Sequence, residues 1–225
     1  MNLAWSPDGK WIAFNTTRGA PVRRDGRIVH VESVWIMKSD GTALTRLCSG
    51  AYPTWSPGGD KLAVEEDNTK KLGLTLKQVK IVNLQGNTLR IIGEGDSPSW
   101  SPDGKYIAFI GARSKEQVLT RNFIGMTETT ANIRQRNLSI FTTKTGAIIP
   151  LTDYEPDKES IDHFLEESKR QGFKSSGINT YGQFDDLEPS WSSDGKSIVY
   201  VKCNRRGKND HWSLMRADLF FNSDK

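Results

Sequence analysis

The chain has 225 residues, 36% of them hydrophobic and 9% aromatic, with 31 basic against 27 acidic residues and a formal net charge of +4. That length suits one large all-β domain or two small ones, and the balance lacks the strong basic excess of a dedicated nucleic-acid binder. Cys48 and Cys203 are too few and too far apart for a disulfide framework or a metal centre, no stretch is long and apolar enough to span a bilayer, and the N-terminal residues lack the pattern of a signal peptide.

In chain order, one phrase recurs four times. Trp5-Ser6-Pro7-Asp8-Gly9-Lys10 precedes Trp11-Ile12-Ala13-Phe14, and Trp55-Ser56-Pro57-Gly58-Gly59-Asp60 precedes Lys61-Leu62-Ala63-Val64. Trp100-Ser101-Pro102-Asp103-Gly104-Lys105 precedes Tyr106-Ile107-Ala108-Phe109-Ile110, and Trp191-Ser192-Ser193-Asp194-Gly195-Lys196 precedes Ser197-Ile198-Val199-Tyr200. Each phrase reads as the end of one strand, a tight turn that tolerates positive φ, and the start of a second strand. The second strands do not alternate cleanly, which predicts burial on both faces. Third strands follow at 34–37, 79–82, 138–141 and 212–215. A second turn then leads into fourth strands at 44–47, 89–92 and 148–152, and the last repeat offers no room for a full fourth strand. The Trp-to-Trp spacings are 50, 45 and 91 residues. The long spacing reads as a loop extension over 111–137 plus an insertion over 153–188, with a helix expected at 156–171 from Pro156, the shared face of Ile161, Phe164 and Leu165, and Gly172.

The recurring Trp-Ser-Pro-Asp-Gly-Lys, Ile-Ala-Phe, Asp-Gly and Leu-Thr pattern closely resembles the TolB-type β-propeller repeat. The first repeat carries it in full through Trp35-Ile36-Met37, Asp40-Gly41 and Leu44-Thr45. The second departs at Gly58-Gly59-Asp60 and the fourth at Ser193. The resemblance implies an all-β propeller domain over 1–225, with four-stranded blades at about 1–48, 49–93, 94–152 and 189–225, the last incomplete. A ring of four and an open arc of a larger ring both stay open. The resemblance also implies a bacterial, WD-repeat-like protein-binding platform without catalysis. Its compartment would be periplasmic by family, or cytoplasmic given the absence of a leader.

Within such blades, the long second-to-third-strand loops share one face with the links between blades, and that face is the expected functional one. Its basic residues are Arg18, Arg23, Arg24 and Arg27 in the first loop, Arg113, Arg121, Arg134 and Arg136 in the third, and Arg205, Arg206 and Lys208 in the fourth. The 153–188 insertion is acidic. A basic surface bordered by an acidic flap would attract an anionic partner; solvated loop charge is the plainer alternative. Asp8, Asp103 and Asp194 with Gly9, Gly104 and Gly195 read as turn formers. Trp5, Trp55, Trp100 and Trp191 read as inter-blade core. Neither metal nor cofactor is expected: the three histidines are scattered, and no nucleophile elbow, His-Glu-x-x-His or phosphate loop occurs.

The expected function is therefore a non-enzymatic scaffold with a protein partner, and self-association or a second subunit is expected at the terminal blade edges. Two alternatives are the substrate-gating propeller of a prolyl-oligopeptidase-like serine peptidase and a carbohydrate-active propeller enzyme.

Overall fold

The turn phrase is built the same way in all four repeats. In the first, the Ser6 hydroxyl donates to Asp8 Oδ1 at 2.7 Å, the Lys10 amide donates to the same oxygen at 3.1 Å, and the Trp11 amide donates to Ser6 Oγ at 2.9 Å. Ser101 with Asp103 and Ser192 with Asp194 repeat the arrangement. Where glycine replaces the aspartate, Asp60 takes over and accepts from Ser56 Oγ at 3.0 Å. Gly9, Gly59, Gly104 and Gly195 all sit at φ between 68° and 71°, which glycine reaches at least cost. The aspartates are thus consumed by turn geometry.

The computed structural model describes residues 2–17, 22–24, 27–29, 31–68, 76–122, 127–152, 178–206 and 209–219. The helix expected at 156–171 lies outside them. Blade 1 comprises β1 (Leu3–Trp5), β2 (Trp11–Thr16), β5 (Ser33–Lys38) and β6 (Thr45–Ser49), with a hairpin of β3 (Val22–Arg24) and β4 (Arg27–Val29) inserted between the second and third of these. Blade 2 comprises β7 (Ala51–Trp55), β8 (Lys61–Asn68), β9 (Leu76–Asn83) and the first half of β10 (Thr88–Trp100). Blade 3 takes the second half of β10, then β11 (Tyr106–Asn122), β12 (Thr127–Thr142) and β13 (Ile148–Pro150). Blade 4 holds β14 (Ile178–Trp191), β15 (Ser197–Arg206) and β16 (Asn209–Asp218), with no fourth strand among the described residues.

Three expectations are revised. The segment 111–137 is not a loop. β11 and β12 continue as a paired ribbon from Ala112↔Arg136 out to Asn122↔Thr127, a stretch whose β-branched residues (Val118, Thr120, Thr129, Thr130, Ile133) favour strand. Part of the 153–188 insertion is also strand. β14 begins at Ile178, pairs in parallel with β12 from Ala131↔Ile178 to Arg136↔Asp185, and then becomes the inner strand of blade 4. Finally, blades 2 and 3 meet within a single strand, which pairs with β9 through Glu94 and with β11 from Gly95 onward. A Cβ on Gly95 would collide with the Ile110 carbonyl oxygen, and one on Gly50, the link from blade 1 to blade 2, with that of Glu65. Only glycine lets these links press so closely on the neighbouring strand.

The core lies between blades, in three clusters. Blade 1 supplies Ala13, Val34, Ile36 and Cys48 against Trp55, Leu62, Val64 and Val82 of blade 2. Blade 2 turns its other face, Ala63, Val79, Ile81 and Ile92, against Ile107, Phe109 and Phe141. Blade 3 then sets Ala108, Ile110, Leu138 and Ile140 against Ile198 and Tyr200. Successive residues of β8 and β11 thus serve opposite clusters, as the unalternating sequence predicts. Cys48 and Cys203 are both buried free thiols.

Two of the repeat tryptophans lock joints by hydrogen bonds, whereas the buried Trp100 indole N–H has no partner among the described residues. The Trp55 indole N–H donates to the Ala4 carbonyl of blade 1 at 3.0 Å, and that of Trp191 donates to the Ser99 carbonyl of blade 3 at 3.0 Å. Trp5 departs from the expected core role: it is 55% exposed against 6% for Trp55, because no described blade precedes it. Trp55→Ala is therefore expected to cost about 3–5 kcal/mol of unfolding free energy in denaturant titrations of dilute protein. Trp5→Ala should cost less than about 1 kcal/mol.

Candidate functional site

The long-loop end of the blades carries a second in-phase feature. Ahead of three repeat tryptophans stands Xaa-Pro-Ser/Thr-Trp: Tyr52-Pro53-Thr54-Trp55, Ser97-Pro98-Ser99-Trp100 and Glu188-Pro189-Ser190-Trp191. Proline cannot donate to the ladder, and at each of these places the pairing register slips, between Ala51 and Thr54, Asp96 and Ser99, and Leu187 and Ser190. The prolines are buried. The residues before them, Tyr52, Ser97 and Glu188, adopt left-handed φ of 48°, 51° and 50°. Each such non-glycine conformation costs about 1–3 kcal/mol, and bulges of this kind re-aim a side chain at the end of a strand.

A network of charge surrounds these bulges. The Glu65 side chain, nearly inaccessible, accepts from Lys77 Nζ at 2.6 Å and from the Ser97 amide at 3.1 Å, so blade 2 is tied to the bulge of blade 3. Burial pushes the Glu65 carboxyl above its ordinary value despite those donors. Burial likewise raises the Tyr52 phenol, with Glu65 adding to it, and Lys77 Nζ lies 5.8 Å from the centroid of the Tyr52 ring. Glu66 accepts from buried Lys80 at 2.8 Å, from Gln78 at 3.2 Å and from the Ser49 hydroxyl. Burial alone would raise Glu66, but these donors, Lys80 foremost, hold it below the usual carboxylate value. Asn15 donates to Glu32 at 2.8 Å. Glu32, Ser49, Gly50, Ala51 and Glu65–Asp67 line a small cleft of about 170 Å³ between blades 1 and 2.

Arg136 was expected to face a partner. It instead donates to both oxygens of Asp96, at 2.6 and 2.5 Å, and is three-quarters buried. Arg23, Arg24 and Arg27 lie on the β3–β4 hairpin, with Arg24 and Arg27 paired in register. Arg113, Arg121 and Arg134 lie on the β11–β12 ribbon, and Arg205 and Arg206 at the end of β15. In register, Arg121 stands opposite Glu128 and Arg205 opposite Asp210. Arg18 and Lys208 fall outside the described residues. Asp8, Asp103 and Asp194 lie at the opposite end of the blades, in the short turns. Sequence reasoning missed Tyr52, Ser97 and Glu188, although their shared Xaa-Pro-Ser/Thr-Trp phrase is visible in the chain. Among the described residues no group of three or more His, Cys, Asp or Glu is placed to hold a metal ion, and no helix is long and apolar enough to cross a membrane.

The backbone is similar to that of a protein assigned as TolB from Agrobacterium tumefaciens, with a TM-score of 0.53 and 15% identity over 96% of this chain and 57% of that one. The fold is a TolB-type β-propeller. An acylaminoacyl peptidase in complex with Z-Gly-Gly-Phe-chloromethyl ketone gives a TM-score of 0.50 and 13% identity over 94% of this chain and 31% of that one. In sequence, 62 residues are 34% identical to the uncharacterized protein Atu1656 of Agrobacterium fabrum, over 26% of this chain and 18% of that protein. No family model matches. The chain spans less than two thirds of each of these relatives.

The Glu66–Lys80 pair yields a thermodynamic expectation. Glu66→Gln leaves a buried ammonium without its countercharge and should cost about 3–5 kcal/mol. Adding Lys80→Met should recover most of that loss in denaturant titrations. Because Glu66 is depressed in the folded state, its contribution is present above the ordinary value of 4.5 and is lost as pH falls through the folded value. Wild type should thus lose more stability than the double variant on acidification below pH 4.5.

Proposed function

We propose that this TolB-type propeller is a non-enzymatic platform whose long-loop end binds a macromolecular partner, in the first instance a protein. The observation that carries this reading is the threefold bulge. Strained, non-glycine, left-handed residues recur in phase at one end of the inner strands, whereas at the opposite end Ala43 of blade 1 alone among the described residues has such a φ. Strain of this kind clusters at functional sites, binding surfaces among them. Tyr52 offers an aromatic face with a polar tip, suited to a hot spot of a protein interface. The basic residues carried by the hairpin, the ribbon and the end of β15 would steer an anionic partner toward this end of the blades. Likeness of fold speaks for architecture alone, and the platform reading rests on the site.

A photo-crosslinking residue at Tyr52 is expected to capture the partner, and one at Lys105, in an opposite-end turn, is not. Capture only from Lys105 would overturn the assignment. With the partner so identified, Tyr52→Ala together with Glu188→Ala should weaken binding about tenfold or more. Joint charge reversal of Arg23, Arg24, Arg205 and Arg206 should lower the association rate and its salt dependence. Binding unchanged by both sets would exclude the long-loop end.

A further inference from the structure

Glu65 stands ten residues after its repeat Trp, where blades 3 and 4 carry Ile110 and Val201. Its side chain is only 3% exposed, and each of its oxygens meets a donor. Oε1 accepts from Lys77 Nζ at 2.6 Å and Oε2 from the Ser97 amide at 3.1 Å. An ammonium and a backbone amide can only donate. The ionised carboxylate offers an acceptor to each of them. The neutral acid keeps one good acceptor, its carbonyl oxygen, and turns the other oxygen into a donor. Burial acts the other way. It pushes the Glu65 carboxyl above its ordinary value of 4.5 despite both donors, so the proton arrives earlier as pH falls than at a free glutamate. Charge at this position costs solvation, and neutrality costs a hydrogen bond.

The two donors are not equally free to leave. The Ser97 amide belongs to the left-handed bulge of β10, and a backbone N–H deprived of its partner inside the fold carries the full cost of its lost solvation. The Lys77 side chain is 42% exposed, so its ammonium can exchange Glu65 for water, and pairs made by such exposed groups hold weakly. The amide therefore keeps the carbonyl oxygen and Lys77 is the group released. Lys77 Nζ lies 5.8 Å from the centroid of the Tyr52 ring, the bulge residue of blade 2. The other charges nearby are engaged or act on the pair's neighbours. Asp96 of β10, which opposes ionisation of Glu65, is held by Arg136 of β12 at 2.5 Å, and Glu66 of β8 is held by Lys80 of β9 at 2.8 Å. Asp67 of β8 favours the charged form of Lys77, while Glu32 and Glu188 of β14 act on the Tyr52 phenol.

We propose that Glu65 is a proton-operated latch on Lys77. With Glu65 ionised, the ammonium is held between the bulges of blades 2 and 3, beside Tyr52. When Glu65 takes a proton from solvent, through the cleft between blades 1 and 2 that it borders, Lys77 swings out to water and the Ser97 amide stays bound. The neutral pair is replaced by one free positive charge next to Tyr52. Combined with the platform reading, on which this consequence rests, an anionic partner binds more tightly as pH falls. The latch itself is a property of the free protein.

An NMR titration of the full chain, without any partner, tests it. The Glu65 carboxyl carbon is expected to titrate with a midpoint above 4.5. The Lys77 ε-methylene and the Tyr52 ring should shift with that same midpoint, while the Ser97 amide keeps its protection from hydrogen exchange. Lys77→Met removes a donor that favours the charged carboxylate and should raise the proton affinity of Glu65 about tenfold. In Glu65→Gln the shared midpoint should vanish from the Tyr52 ring. A Glu65 midpoint at or below 4.5, a Lys77 resonance that does not follow it, or a Ser97 amide that loses protection at that pH would overturn the latch. So would a proton affinity unchanged in Lys77→Met, or a Tyr52 midpoint that survives in Glu65→Gln, which would assign the titration to another carboxylate. Failure of the platform reading would show in the Tyr52 crosslink and leave this titration unchanged.

Discussion

A middle blade of this protein has no polar side. Leu62, Ala63 and Val64 are consecutive and fully buried, and so are Ile107 and Ala108, because the inner strands pass between two neighbouring sheets. Such a strand is stable only when both neighbours are present, and stability accrues joint by joint, as in other repeat architectures. The tight turns, the indole-to-carbonyl bonds and the glycine links all serve to keep adjacent sheets at the spacing this burial demands. Among the described residues, blades 1 and 4 each have a neighbour on one face.

Polar chemistry is pushed to the ends of the blades, and the two ends use it differently. In the short turns, aspartate and serine satisfy their own backbone and are then spent. At the long-loop end the polar groups reach further: Glu65 of blade 2 holds the Ser97 amide of blade 3, Ser49 of blade 1 meets Glu66 of blade 2, and within blade 3 Arg136 of β12 reaches across β11 to Asp96 of β10. These contacts also fix the bulged residues in place. A site supported in this way has little freedom to rearrange, so recognition there depends on a preformed surface.

Much of the architecture was legible because turn chemistry is local. Ser-Pro-Asp-Gly dictates its own conformation, and the apolar run after it announces burial on both faces. The ribbon of β11 and β12 was not legible, since its support comes from β14, which lies far along the chain and pairs in parallel. The start of β14 was hidden for the same reason, behind an acidic composition that reads as solvated. The basic residues could be counted but not placed: nothing local to Arg136 shows that Asp96 will claim it. The bulges were legible in principle, because Pro53, Pro98 and Pro189 recur at one distance from Trp.

β10 has a mechanical consequence. One unbroken strand closes blade 2 and opens blade 3, and its ladder changes partner between Glu94 and Gly95 without a free residue between. Blade 2 cannot unravel from its outer strand without pulling on the inner strand of blade 3. The smallest element that opens as a unit here is therefore a pair of blades. In hydrogen exchange, blades 2 and 3 would behave as one block, and β14, which pairs with β12 of blade 3 before it enters blade 4, ties blade 4 to that block.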